Sequence, residues 1–324
     1  WNAVRLCLML FPDGLEPSEK PVPTSLADSW ILTRASQLTT RVRRAIEEYR
    51  FDEAARSLYE FFWNELCDWY LELIKPVFYH RQDPDEQRKV AQCLLFAVDR
   101  YLRLSHPLMP FLTEELWHHL PGQRGPLIHT PLPEKGWEEP KAVQEMELLQ
   151  EVIRAIRNLR AELGLQAKQK AEVVILAGEG RELLETNQAV IESLAMAEPL
   201  RFAEERPQQA LSQRVGEMEV FLPFPADFDL SREVARLEAE RAEAQKFHDS
   251  IAAKLNNANF VERAKPEVVA RERERLEEKM REVRSITASR DAMLKLLIEE
   301  IGLKLRELRA LCGNQPQGSK AILS

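Results

Sequence analysis

Apolar residues return at steps of three and four along most of this chain, and those steps predict its elements. Between Asp52 and Pro76, the residues Leu58, Phe61, Phe62, Leu66, Trp69, Tyr70 and Leu73 form one wide apolar face. That spacing predicts an amphipathic helix, stopping near Pro76 where a backbone donor is lost. "TSLADSW" places Ser25 three residues before Asp28, a variant of the capping box, and helical periodicity then runs to about Arg50. A further helix from about Asp85 to Leu104 buries Val90, Leu94, Phe96, Ala97 and Tyr101. "WNAVRLCLMLF" reads as a helix already under way, and "HPLMPFLTEELWHHLP" as a turn, a short helix and a proline stop. Helices joined by short loops predict a bundle over residues 1–122.

The pattern then changes twice. Residues 123–139 are dense in Gly and Pro and read as an irregular crossing strip. Over 140–224 a helix (Val143–Leu163) is followed by the β-branched run "AEVVILAG", a helix near Arg181–Met196, an extended "LRFAE" and the alternating "RVGEMEVFLPF". This predicts a small α/β domain. From 225 to 295 two helical repeats flank "NNANFVERAKP". One repeat carries Leu230, Val234, Leu237, Arg241, Ala244, His248, Ile251 and Leu255. The other carries Val269, Arg273, Leu276, Met280, Val283, Thr287, Arg290, Leu294, Leu297 and Ile301. They predict an antiparallel coiled-coil hairpin about 40 Å long, at 1.5 Å per residue. Asn256, Asn257 and Asn259 favour the turn, Phe260 and Val261 can plug its open end, and Pro266 suits the first turn of the returning helix. Residues 296–324 follow as an extra helix and a disordered tail. The expected class is mainly α: a helical bundle, a small α/β linking domain and an antiparallel coiled-coil hairpin.

Composition narrows the chemistry. The net charge is −8, so the total advertises no polyanion partner, yet residues 229–295 hold 15 Lys and Arg against 14 Asp and Glu. The hairpin is therefore at +1 and the remainder at −9. Arg271, Arg273, Arg275, Arg281 and Arg284 crowd one helix. They either pair along it with Glu274, Glu277, Glu278 and Glu282, or face phosphates. Cys7, Cys67, Cys93 and Cys312 are too scattered for a metal knuckle or a redox pair, which predicts buried thiols in a reducing cytoplasm. His118 and His119 point apart on a helix, and Glu114-Glu115 reads as a solvated face. No nucleotide loop, nucleophile elbow or zinc helix motif occurs, and no run reaches 18 apolar residues, so no catalytic residue, metal ligand or membrane span is assigned. The chain opens on Trp rather than Met, and a fragment of a longer protein is expected.

Several stretches resemble the valyl-tRNA synthetases, class I aminoacyl-tRNA synthetases: "WNAVRL", "SLADSWILTR", "FDEAARSLYEFFWNELCDWYLELIKP", "HPLMPFLTEELW", "IRNLRAELGL" and "KLNNANFVERAKPEVVARERERL". The resemblance runs from Trp1 to about Arg290. It implies that 1–122 is the anticodon-binding bundle, 140–224 the linking domain and 225–295 the arm that leans on the tRNA elbow. It also implies that tRNA(Val) is the partner, and that catalytic and editing domains lie outside this chain. ATP and Mg²⁺ would belong to that catalytic part, no cofactor to this chain, and this chain alone would be inactive. Such chains commonly end near Ala292. Here the sequence continues, and Leu294, Leu297, Ile301, Leu305 and Leu308 form a stripe with no hairpin strand opposite, suited to self-association.

On the matched motifs, the resemblance implies anticodon contacts by Asn2, Arg5 and Leu6, the alternative being a buried helix-end role. Arg41, Arg43 and Arg44 are either solvated or phosphate-facing. In the hairpin Arg232, Arg236, Lys246, Arg275 and Lys279 are the elbow candidates. Trp63, Trp69 and Tyr70 are expected in the core. The competing reading is a non-catalytic scaffold that assembles proteins through its hairpin and apolar tail.

Overall fold

A computed structural model describes residues 1–79, 83–122, 125–207, 209–224, 229–257 and 266–313. The chain divides into two compact units, one of Trp1–Ala155 with Ala177–Ala197 and Val215–Glu217, the other of Ile156–Leu176, Glu198–Arg214 and Met218–Ser324.

The first unit is built on helices α1 (Asn2–Leu10), α2 (Leu26–Glu47), α3 (Phe51–Glu60), α4 (Leu71–Tyr79), α5 (Pro84–Ser105) and α6 (Pro110–His118). The Ser25 hydroxyl accepts from the Asp28 N–H at 3.2 Å, so the predicted cap forms. Asp83 caps α5 in the same way, with Pro84 at its first position. Helix α2 packs against α3 and α5, and α1 and α6 lie on α5. Ile31, Leu32, Leu38, Leu66, Leu94 and Leu102 are wholly enclosed.

Between α3 and α4 the segment Phe61–Tyr70 winds as a π-helix. Trp69, Tyr70 and Leu71 are all buried, as expected of a helix covered on more than one side. Two expectations fail on this element. Trp63 is 54% exposed, because two residues on from buried Phe61 it lies on the opposite, outer side of the helix, where it stacks on Tyr59. Nor does the helix stop at Pro76. It runs to Tyr79, the last turn being held by Gln87, whose Nε2 donates to the Val77 carbonyl at 3.0 Å.

Among its described residues the crossing strip is irregular apart from one 3₁₀ turn at Leu127–His129. Arginines tie it to the bundle. Arg103 donates to the Pro131 carbonyl at 2.7 Å, and Arg43 to the Pro133 carbonyl at 3.2 Å. The Ser36 hydroxyl accepts from the Trp137 N–H at 2.9 Å. Prolines remove the strip's own donors, so side chains satisfy its carbonyls instead. Glu114, expected on a solvated face, accepts from the Leu127 N–H at 2.9 Å and anchors the 3₁₀ turn, which holds its carboxyl below the usual range.

Helix α7 (Pro140–Glu162) begins in the first unit and ends in the second. Strands β1 (Ala171–Leu176), β2 (Ala197–Phe202), β3 (Ala210–Val215) and β4 (Met218–Pro223) form a mixed sheet in the order β2-β1-β4-β3. Strand β1 is central, runs antiparallel to β4 with Ile175 opposite Val220, and buries Val173, Val174 and Ile175 in succession. Gly216 turns the β3–β4 hairpin at φ +57°, a conformation a side chain would strain. The single helix expected over 181–196 is two, α8 (Arg181–Thr186) and α9 (Gln188–Ala195), parted at Asn187, whose side chain donates to the Leu183 carbonyl at 2.8 Å.

The hairpin is α10 (Leu230–Asn256) and α11 (Pro266–Gly313), and Pro266 opens α11 as predicted. The plug expected from Phe260 and Val261, the turn residue Asn259 and the tail after Gly313 lie outside the described residues. Lys254 reaches Glu272 at 3.0 Å, and Lys279 lies 5.8 Å over the Phe247 ring. Seven residues back on α10 thus match seven forward on α11, the register of an antiparallel pair. A further 17 residues set Leu230, the first residue of α10, level with Leu296, while α11 continues unbroken for 17 more, to Gly313. The seam follows prediction on α10, with Leu230, Val234, Leu237 and Ala244 buried. On α11 it keeps Val269 and Val283 but otherwise differs: Arg273 is exposed, and the buried line continues through Ile286 and Met293 in place of Thr287 and Leu294. Three- and four-residue steps both satisfy the repeat, and the partner helix decides which is taken.

Candidate nucleic-acid interface

In α1 the apolar residues Val4, Cys7 and Leu10 face inward, which leaves Asn2 and Arg5 exposed and Leu6 half-buried. Neither Asn2 nor Arg5 has a side-chain partner among the described residues. The Trp1 ring stands edge-on to His119 of the α6 terminus, centroids 6.4 Å apart. The three α2 candidates separate. Arg41 is exposed, with no side-chain partner among the described residues. Arg44 is held by Glu48 at 2.7 Å, and that hydrogen bond raises its already high pKa. Arg43 is committed to the crossing strip.

The hairpin candidates separate too. Arg236 sits between Glu233 at 2.6 Å and Glu240 at 2.7 Å, which raises its pKa. Arg275 lies 3.5 Å from Glu272, and Lys279 2.6 Å from Glu282. Lys254, at hydrogen-bond distance, is the chief reason the Glu272 carboxyl is held low. Arg232 and Lys246 are exposed, and their side-chain nitrogens have no partner among the described residues. Pairing along the helix describes Arg275 but not its neighbours: Arg271, Arg273, Arg281 and Arg284 are exposed with no carboxylate within ion-pair distance among the described residues. Such arginines can meet phosphate without first breaking a pair. Sequence spacing offered no signal for this, because Glu277 stands four residues from both Arg273 and Arg281.

No group of three metal-binding side chains occurs among the described residues, and no described helix is long and apolar enough to cross a membrane.

Two family matches bear on these surfaces. Residues 28–175 match the anticodon-binding domain of tRNA ligase, and residues 229–294 match the valyl tRNA synthetase tRNA binding arm. The chain belongs to the valyl-tRNA synthetase family. It is 38% identical over 310 residues to the valine–tRNA ligase of Geobacter sulfurreducens, covering 91% of this chain and 34% of that protein. The Carboxydothermus hydrogenoformans valine–tRNA ligase is 39% identical over 287 residues, 85% of this chain and 32% of the relative. That of Thermotoga maritima is 36% identical over 279 residues, 85% and 31%. The chain spans about a third of the length of the valine–tRNA ligases it matches. In this family's terms the hairpin is the tRNA-binding arm, and most of α2, helices α3 to α6 and the crossing strip fall within the stretch matched to the anticodon-binding domain, which α1 precedes. Both matches are to tRNA-binding modules, which sets aside the scaffold reading.

Proposed function

We propose that this chain is the tRNA-grasping part of a cytoplasmic valine–tRNA ligase, holding tRNA(Val) at its anticodon loop and elbow while catalysis takes place elsewhere in the full-length protein. The observation that carries this reading is that one chain matches both the anticodon-binding domain of tRNA ligase and the valyl tRNA synthetase tRNA binding arm. The exposed arginines of α11 support it, since Arg273, Arg281 and Arg284 can turn to a phosphate backbone without first leaving an ion pair among the described residues. ATP and Mg²⁺ serve the catalytic part, so this chain alone neither activates valine nor charges tRNA. The exposed Ile298, Ile301 and Leu305 beyond the end of α10 suit contact with a second copy. The experiment is titration of the chain with tRNA(Val) over a range of salt. Each phosphate neutralised contributes roughly −0.7 to −0.9 to the slope of log affinity against log salt. A slope of several units is expected, and salt-independent or undetectable binding would overturn the reading.

A further inference from the structure

Arg100 of α5 is a buried cation short of acceptors. It is 4% exposed, and its guanidinium lies 3.6 Å over the centre of the Phe96 ring, which covers one face of the group. Its donors are left to radiate in the guanidinium plane. Nε is enclosed without an acceptor, Nη2 reaches the Glu134 carbonyl at 3.4 Å, and Nη1 has no bond among the described residues. Glu19 stands 3.9 Å from Nη2, beyond hydrogen-bond reach, with its side chain 83% exposed. Burial lowers the Arg100 pKa, although a guanidinium stays charged at neutral pH. Arg103, one turn on, shows the contrast: Asp99 at 3.1 Å and the Pro131 carbonyl at 2.7 Å take its donors. Arg100 lines a cavity of about 270 Å³, walled also by Leu95, Phe96 and Trp117. The Trp117 N–H is spent on the Gly125 carbonyl at 3.0 Å, so its indole offers the cavity an apolar wall.

We propose that this cavity binds a small organic carboxylate, its charge on Arg100 and its apolar body against Leu95 and Trp117. Shape favours that class. Donors confined to the plane of a guanidinium match a planar, two-oxygen acceptor. Charge favours it too. With Glu19 turned to solvent, Arg100, Arg103 and Asp99 leave one net positive charge at the cavity. One carboxylate balances that charge, whereas a phosphate dianion exceeds it and is repelled by Asp99. Size sets the limit: pockets for drug-sized ligands run from roughly 300 to 1,000 Å³, so this one suits a small acid. Glu19 then acts as a weak, displaceable stand-in for the ligand's own carboxylate. All the lining residues belong to the first unit, and none is among the tRNA candidates above, so the two readings stand or fall separately.

The test is isothermal titration of the full chain with benzoate, with its neutral isostere benzamide and with inorganic phosphate. Benzoate should bind one to one, and benzamide about tenfold or more weakly, because the charge-assisted bonds to Arg100 are lost. Arg100→Gln should weaken benzoate to the level of benzamide. Glu19→Gln removes the competing carboxylate at an exposed position and should tighten benzoate about two- to fivefold. If Arg100→Gln fails to fold, judged by circular dichroism, Glu19→Gln decides. Undetectable benzoate binding, equal binding of benzoate and benzamide, or an affinity unmoved by Glu19→Gln overturns the proposal. Phosphate binding more tightly than benzoate overturns it as well, in favour of a phosphate site.

Discussion

Asp28 shows how much a single side chain organises here. It is fully buried, yet one oxygen accepts from the Tyr70 hydroxyl at 2.7 Å and the other from the Thr24 N–H and hydroxyl at 2.9 and 2.8 Å. The start of α2 is thereby fastened to the π-helical segment. Tyr70→Phe keeps the ring and leaves one carboxylate oxygen without its donor, a cost of about 1–3 kcal/mol. Urea unfolding should show that loss, and an unchanged midpoint would mean the bond adds nothing. Burial also pushes up the Tyr70 hydroxyl, the Cys7 thiol to about 12 and the Cys67 thiol to about 11. These groups are neutral when folded, and the thiols ionise from about 9 when unfolded. Their contribution is therefore complete below pH 9 and drains away as the pH rises through 11 to 12. Unfolding free energies measured between pH 8 and 11 should fall, and less steeply in Cys7→Ala. Parallel profiles for the two proteins would refute this.

At the scale of the element, the hairpin depends on a thin seam. Its charged contacts, such as Lys254–Glu272, lie where solvent screens them and contribute little. Apolar burial must hold the pair together. Leu237→Ala should therefore cost about 2–5 kcal/mol, the range for a buried leucine. Lys254→Ala should cost clearly less. Circular dichroism melts of the two variants would rank them, and the reverse order would show that ion pairs hold the arm. Beyond Leu296 the seam has no α10 residue opposite. Truncation after Leu296 should thus leave the melting temperature unchanged and lower the mass seen by light scattering. A lower melting temperature at constant mass would show that the extension docks on its own chain.

At the scale of the whole molecule the question is what the chain does without the other two thirds of its relatives. The purified chain should bind tRNA and show no valine-dependent pyrophosphate exchange; measurable exchange would refute that. Deleting 229–324 should weaken tRNA binding and flatten its salt slope while anticodon preference survives, because phosphate contacts position an RNA and base contacts specify it. If affinity and slope both survive, the arm is not a phosphate-binding element.

What the sequence determined by itself is whatever follows from local periodicity and caps. The Ser25 cap, the buried face of α3 through α4, the existence of strand β4 and the start of α11 at Pro266 depend on neighbours a few residues away, and all were legible, although β4 buries Val220, Phe221 and Leu222 in succession instead of alternating. The tertiary structure decided matters that turn on distant partners. Gln87 carries a helix past Pro76, and an α11 seam open to two spacings settles on Met293 because α10 lies across it. The same holds at the candidate surfaces. Sequence proposed a set of cations, but whether each is free depends on which carboxylate or carbonyl its long side chain meets. Arg43 meets a carbonyl 90 residues away, whereas Arg281 meets none among the described residues. The neighbourhood of Trp1 and His119 was illegible for the same reason: no periodic signal links residues so far apart, and only folding brings them together.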